Sequence, residues 1–202
     1  MPVPLEDHVR QVLLENQRGA KLYAAVSEGW DRAIRKYPER DRWRRKSTFR
    51  AVVWEEMTDE VAVVVAADTG LKWLPHQDTV SIIAEDEVLF RLKHADIALA
   101  TSSYPTEEAQ AFDDHDRDLY GYQDLQRVRL CYVPDKFEGK LIWTGVAAHL
   151  RGMFLWNIEL GEVGALAPIE RLPLQEQGLD VTKIARLRRD REGGVEDNKD
   201  AG

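Results

Sequence analysis

TVSIIAEDEVLFRLK, residues 79–93, decides the fold. Two short runs of β-branched and aliphatic residues, 79–84 and 88–93, flank an acidic turn at Glu85-Asp86. Such a pattern predicts a β-hairpin, although the glycine that primed turns favour is absent. Before this stretch apolar residues recur at steps of three and four; after it they recur at steps of two as far as Leu160. The change of period separates a helical N-terminal part from a sheet.

Upstream, Leu5, Val9, Val12, Leu13, Ala20, Tyr23, Ala24, Trp30, Ile34 and Tyr37 fall on one helical face, with Glu, Arg and Lys between them. They predict an amphipathic helix, bent or broken at Gly19 or Gly29 and ended by Pro38. A second helix carries Phe49, Val53, Met57, Val61 and Val64, and stops at Asp68-Thr69-Gly70. The β-branched run 61–67 would also suit a strand, but the phase set at Phe49 persists through it, which favours helix. Trp73 falls in a loop.

Downstream, 94–105 reads as loop, and Thr106 as the N-cap of a short helix that buries Ala109 and Phe112. Strands are expected over 127–133, 140–148 and 153–160, alternating as in a sheet with one buried face and joined as an antiparallel meander. The expected fold is α+β: two N-terminal helices packed on a mostly antiparallel sheet of about five strands. Residues 1–165 form a single α+β domain, 166–190 a connector with a short helix, and 191–202 a tail with nothing to pack and therefore disordered.

A chain of 202 residues that is 44% hydrophobic supplies one core of ordinary size. Its formal charge of −8, from 28 basic and 36 acidic side chains, disfavours nucleic acid and anionic membrane as wholesale partners. The single cysteine, Cys131, lies in an alternating apolar run and has no internal disulfide partner, which fits a reducing compartment. With no signal-peptide core and no apolar run of about 18 residues, a soluble cytoplasmic protein is expected.

Few residues have the spacing that a chemistry demands. Arg40, Arg42, Arg44, Arg45 and Lys46, with Trp43 among them, form the richest basic run, which would serve as a solvated cap between helices, a grip on phosphates and bases, or a dock for an acidic partner. A second basic cluster, Lys183, Arg186, Arg188 and Arg189, offers the same choices. The acidic stretch 113–118 around His115 lacks the ligand spacing of a calcium loop, and the five histidines include no paired zinc motif. Glu138-Gly139-Lys140 has the letters of a metal-nuclease triplet, but its glycine places it in a turn. No nucleophile elbow and no glycine-rich phosphate loop is present, so no catalytic residue, metal or cofactor is assigned. Trp73, beside Leu71, Leu74 and Pro75, is a candidate surface anchor.

The block Val88-Leu89-Phe90-Arg91-Leu92-Lys93-His94-Ala95-Asp96, then Tyr104-Pro105-Thr106, Ala109 and Phe112, then Leu155-Trp156-Asn157-Ile158-Glu159-Leu160, resembles a group of small bacterial proteins of uncharacterised role. These are often encoded beside metallopeptidases of the ImmA/IrrE type or helix-turn-helix regulators. The resemblance covers roughly residues 40–160 and brings no catalytic residues. It implies a role that depends on a protein partner, encoded by a neighbouring gene, in an antitoxin-like or regulatory pair. Arg91 and Lys93 share one face of a strand and Asp96 lies close by, so the three are expected either to contact a partner or anion or to form a sheet-to-helix salt bridge. The favoured function is a non-enzymatic protein-binding module; a metal-dependent nuclease-like enzyme and a nucleic-acid-binding protein using the basic patch are the alternatives.

Overall fold

The computed structural model describes residues 3–76, 79–101, 106–115, 119–122 and 124–161. The expected connector and helix over 166–190, the tail 191–202 and the basic cluster 183–189 lie outside them. Helices α1 (Glu6–Leu14), α2 (Arg18–Lys36) and α3 (Lys46–Ala66) lead into strands β1 (Leu71–His76), β2 (Thr79–Ala84) and β3 (Val88–His94). Helix α4 (Glu107–Asp113) then precedes β4 (Gln126–Pro134), β5 (Leu141–Leu150) and β6 (Met153–Glu159).

The strands form one six-stranded sheet in the order β1-β2-β3-β4-β5-β6. All neighbours are antiparallel except β3 and β4, which run parallel because the chain crosses over through α4. The sheet therefore has six strands where about five were expected. The added one is β1: Leu71-Lys72-Trp73-Leu74 pairs with β2, and Trp73, expected in a loop, is a half-buried strand residue opposite Ile82. Pro75 within this run weakens the strand signal, yet β1 is an edge strand, where a missing N–H donor is tolerated.

The hairpin forms at the expected place. Glu85 and Asp86 both take left-handed backbone angles, φ 52° and 59°, as a two-residue primed turn requires. Side-chain contacts take the place of glycine: Asp86 receives a hydrogen bond from Lys72, and Glu85 one from Arg18.

The N-terminal helical run breaks at neither glycine. It breaks at Asn16 and Gln17, φ 50° and 57°, between α1 and α2. Arg18 just beyond is 2% exposed and donates to Asp68 through Nε at 2.9 Å and Nη2 at 3.2 Å, tying the break to the end of α3. Gly29 lies unbent inside α2 and serves packing instead. A Cβ there would sit 2.5 Å from the Cα of Met57, so its absence lets α2 and α3 meet backbone to backbone. Helix α3 continues through 61–66 as its phase predicts, burying Phe49, Val53, Met57, Val61 and Val65.

Both faces of the central strands are covered, a departure from the one buried face expected. On one face α1, α2 and α3 bury Ile82, Phe90, Val128, Leu130, Tyr132 and Val146. On the other, α4 and the segments around it cover Ile83 and Leu89 together with Phe112, Leu119 and Leu125. A third cluster gathers Ala95, Leu99, Cys131, Val133 and Ala147. This double burial follows from the parallel β3–β4 pair, whose crossover lays chain across the second face. Among the described residues no helix is long and apolar enough to cross a membrane.

Candidate functional site

On the second face of the sheet, β3 and β4 together carry four cations. Leu89 pairs with Arg127, Arg91 with Arg129 and Lys93 with Cys131 in the parallel register, which sets Arg91, Lys93, Arg127 and Arg129 on one face of two adjacent strands. Like charges so close repel unless neighbouring groups absorb them. Most of that absorption comes from α4 and the residues that follow it.

Thr106 caps α4, its Oγ1 accepting from the Ala109 N–H at 3.1 Å. The cap fixes the helix so that Phe112 lies under the Arg91 guanidinium, 4.3 Å from carbon to ring centroid. Arg91 also donates to the Tyr120 hydroxyl at 3.0 Å. Arg127 donates at 2.6 Å to the carbonyls of both Ala111 and Asp114, at the C-terminal end of α4, where the helix dipole favours a cation. Arg129 pairs with the Asp113 carboxylate.

These contacts place the expected partner-binding group. Arg91 is 4% exposed and lies beneath α4, away from open surface. Lys93 is half-buried, and burial, then Arg91 and Arg129, lower its pKa from the ordinary lysine value. Asp96 is exposed and binds neither: its carboxylate accepts from the Ala98 and Ala100 N–H groups, both at 2.9 Å, and shapes the loop after β3. Trp73 lies on the helix side, packed against the main core.

The Asp96 loop meets two buried histidines. His149 Nε2 lies 3.1 Å from the Leu99 carbonyl, and His115 Nε2 lies 3.1 Å from the His149 carbonyl. A carbonyl only accepts, so each Nε2 carries the proton and each Nδ1 is an acceptor. Neither Nδ1 has a hydrogen-bond partner among the described residues. Burial lowers the pKa of both imidazoles, so both favour the neutral form.

The other cationic feature is at the surface. The corner between α2 and α3 carries Arg42, Arg44, Arg45 and Lys46, all exposed and none in an ion pair among the described residues. The flanking cations differ: Arg32 and Lys36 meet Glu56 and Glu60, Arg35 meets Glu28, and Arg50 grips Glu138. Trp43 is half-buried, its ring edge-on to Tyr37 at 5.6 Å and to Phe49 at 6.5 Å. That aromatic cluster anchors the corner and leaves the cations projecting from a fixed base.

The remaining sequence candidates are occupied structurally. Glu138 sits in the β4–β5 turn with φ 54° and is neutralised by Arg50, whose Nε and Nη2 donate at 2.9 and 2.7 Å. Cys131 is fully buried, and desolvation pushes its thiol up to about 12. Among the described residues no group of three or more His, Cys, Asp or Glu side chains is arranged to hold a metal ion. Sequence reasoning missed Arg127 and Arg129, for which a basic residue at alternate positions of an apolar strand was the available signal, and weighed Asp113 and His149 only as metal ligands. No family model, curated protein or solved structure matches the chain.

Proposed function

We propose that the chain is a non-enzymatic, cytoplasmic bacterial protein-binding module, the antitoxin-like or regulatory half of a pair, and that it docks an acidic patch of its protein partner through the α2–α3 corner. One observation carries this reading. Arg42, Arg44, Arg45 and Lys46 project from a packed aromatic base without ion pairs among the described residues, in a chain whose formal charge is −8. Exposed cations left uncompensated on an acidic protein create a local field of opposite sign, which steers and orients an acidic partner.

A protein partner is favoured over nucleic acid because the Trp43 ring is engaged by Tyr37 and Phe49. The Trp43 side chain is thus engaged in packing the corner, whereas stacking on a base asks for a free ring. The buried Arg91 has no part in the docking surface, and Lys93 belongs to the same covered face.

Site-specific photo-crosslinking tests the reading. A photo-reactive residue at Ser47, exposed beside the corner, is expected to yield one discrete protein adduct in the source cells. The same residue at Asp7, exposed on α1, is expected to yield none. Equal labelling from the two positions, or adducts with nucleic acid alone, would overturn it.

A further inference from the structure

The β4–β5 turn carries Phe137, which at 83% is the most exposed large apolar side chain among the described residues. The turn that presents it is firmly braced. The Asp135 N–H donates to the Lys140 carbonyl and the Glu138 N–H to the Asp135 carbonyl, both at 2.9 Å. The Asp135 carboxylate accepts from the Gly139 N–H at 2.6 Å and from the Lys140 N–H at 3.3 Å. Arg50 of α3 then clamps Glu138 from outside the turn.

That clamp also fixes where Phe137 stands. Arg50 follows Lys46 by four residues on α3, so the two share a helix face about 6 Å apart, and Lys46 belongs to the basic corner. Phe137, next in the chain to Glu138, therefore rises beside the corner cations. Lys136 and Lys140 extend the positive surface up to it: both are exposed, and neither has an ion pair among the described residues. Strands β3 and β4 end, and β5 begins, at this same end of the sheet. Two more exposed apolar residues gather there, Ile97 in the loop after β3 at 76% and Ile142 at 47%. Ile142 is left unpaired where the register passes from Trp143 directly to Leu141, as in a bulge that re-aims a side chain.

We propose, resting on the reading of the α2–α3 corner as the dock, that Phe137 is the apolar anchor of that dock and that the partner protein meets it with an apolar socket ringed by carboxylates. A single exposed apolar residue is ordinary on a protein surface. A protruding aromatic on a rigid turn, with further apolar residues at the same sheet end and cations around them, has the make-up of an interface centre and rim. Because the turn is already ordered, seating the ring costs little conformational entropy. The flanking lysines select the rim of the socket: a cationic rim would repel them, and an uncharged one would strip their water without a counter-charge. The two parts divide the work, the cations setting encounter and salt dependence and the ring setting how long the complex lasts.

Two experiments on the whole chain in its source cells test the proposal. Benzoylphenylalanine placed at position 137 should crosslink to the same protein that is captured from Ser47. In quantitative co-purification, Phe137→Ala should retain that protein at least about tenfold less than the wild type while keeping its melting temperature, since the ring is exposed. Val63→Ala, at a 65% exposed position near the far end of α3, should change nothing. A partner kept undiminished by Phe137→Ala but lost from Arg42→Glu/Arg44→Glu/Arg45→Glu would overturn the anchor and leave the corner standing. Loss with Phe137→Ala but not with the charge reversal would overturn the corner, and the carboxylate rim with it. Absence of a protein adduct from position 137, or equal loss with Val63→Ala, would also overturn the proposal.

Discussion

Replacing Arg18 by Met would break the contact that ties the α1–α2 break to the end of α3 and the hairpin turn. The guanidinium is 2% exposed and holds Asp68, whose side chain is also 2% exposed, while Glu15 and Glu85 at its rim are 53% and 40% exposed. The rim pairs contribute little, about 0–1 kcal/mol each, because water screens them. The Asp68 pair decides the magnitude: removing one partner of a buried ion pair leaves the other charge uncompensated and costs about 3–5 kcal/mol. For a domain of this size each kcal/mol lowers the melting temperature by about 2–4 °C, so a fall of about 6–20 °C is expected. Urea unfolding followed by tryptophan fluorescence and circular dichroism measures it directly. The double variant Arg18→Met/Asp68→Asn should be less destabilised than the sum of the singles by at least about 1 kcal/mol, because the orphaned charge is then gone. Asp68 also adds a pH signature. Its hydrogen bond from Arg18 lowers its pKa below the ordinary carboxylate value, so its stabilisation is complete at neutral pH and lost as pH falls through the folded-state pKa. A loss of less than about 1 kcal/mol for Arg18→Met, or strict additivity in the double variant, would refute the reasoning.

Gly29→Ala should destabilise the domain by about 1–2 kcal/mol despite alanine's better helix propensity, because the new methyl overlaps the Met57 backbone; an unchanged urea midpoint would contradict the close packing of α2 on α3. Burial holds His94, His115 and His149 below the ordinary imidazole pKa. The unfolded chain therefore takes up protons first as pH falls, and stability should decline from about pH 6.5 downward until the folded imidazoles themselves titrate; a melting temperature that rises or stays level from about pH 7.5 to 5.5 would contradict their burial. Cys131 should resist a thiol-specific reagent in the native protein at about pH 8 and react fully in denaturant, since the buried thiol is pushed up to about 12; prompt native-state labelling would place it at the surface.

Much of the fold is written in local patterns. Phe49, Val53, Met57 and Val61 keep one helical phase, and Thr106 with its two following glutamates announces α4 three residues before the cap bond is made. The meander strands are equally plain, because Val128, Leu130 and Tyr132 alternate. What local pattern cannot carry is pairing between distant segments. Trp73 reads as a loop residue because Pro75 interrupts its run, and only β2 alongside makes it a strand. The helix break at Asn16-Gln17 is set by Arg18 reaching Asp68, fifty residues away, a contact with no periodic trace. The candidate site divides the same way. The basic corner is legible as a run of adjacent cations, and the structure adds that they are exposed and lack ion pairs among the described residues. The buried cationic face is illegible: Arg91 and Arg129 stand side by side only through the parallel β3–β4 register, and Asp113 reaches Arg129 only across α4.

Quantitative co-purification from the source cells, with nuclease treatment, of the wild-type chain beside the charge-reversal variant Arg42→Glu/Arg44→Glu/Arg45→Glu tests the central claim most directly. These side chains are exposed and hold no ion pairs among the described residues, so the variant should keep its melting temperature. The account predicts a stoichiometric protein partner with the wild type that survives nuclease, weakens as salt is raised, and is lost from the variant. A partner retained undiminished by the variant, or bound material that nuclease removes entirely, would contradict it.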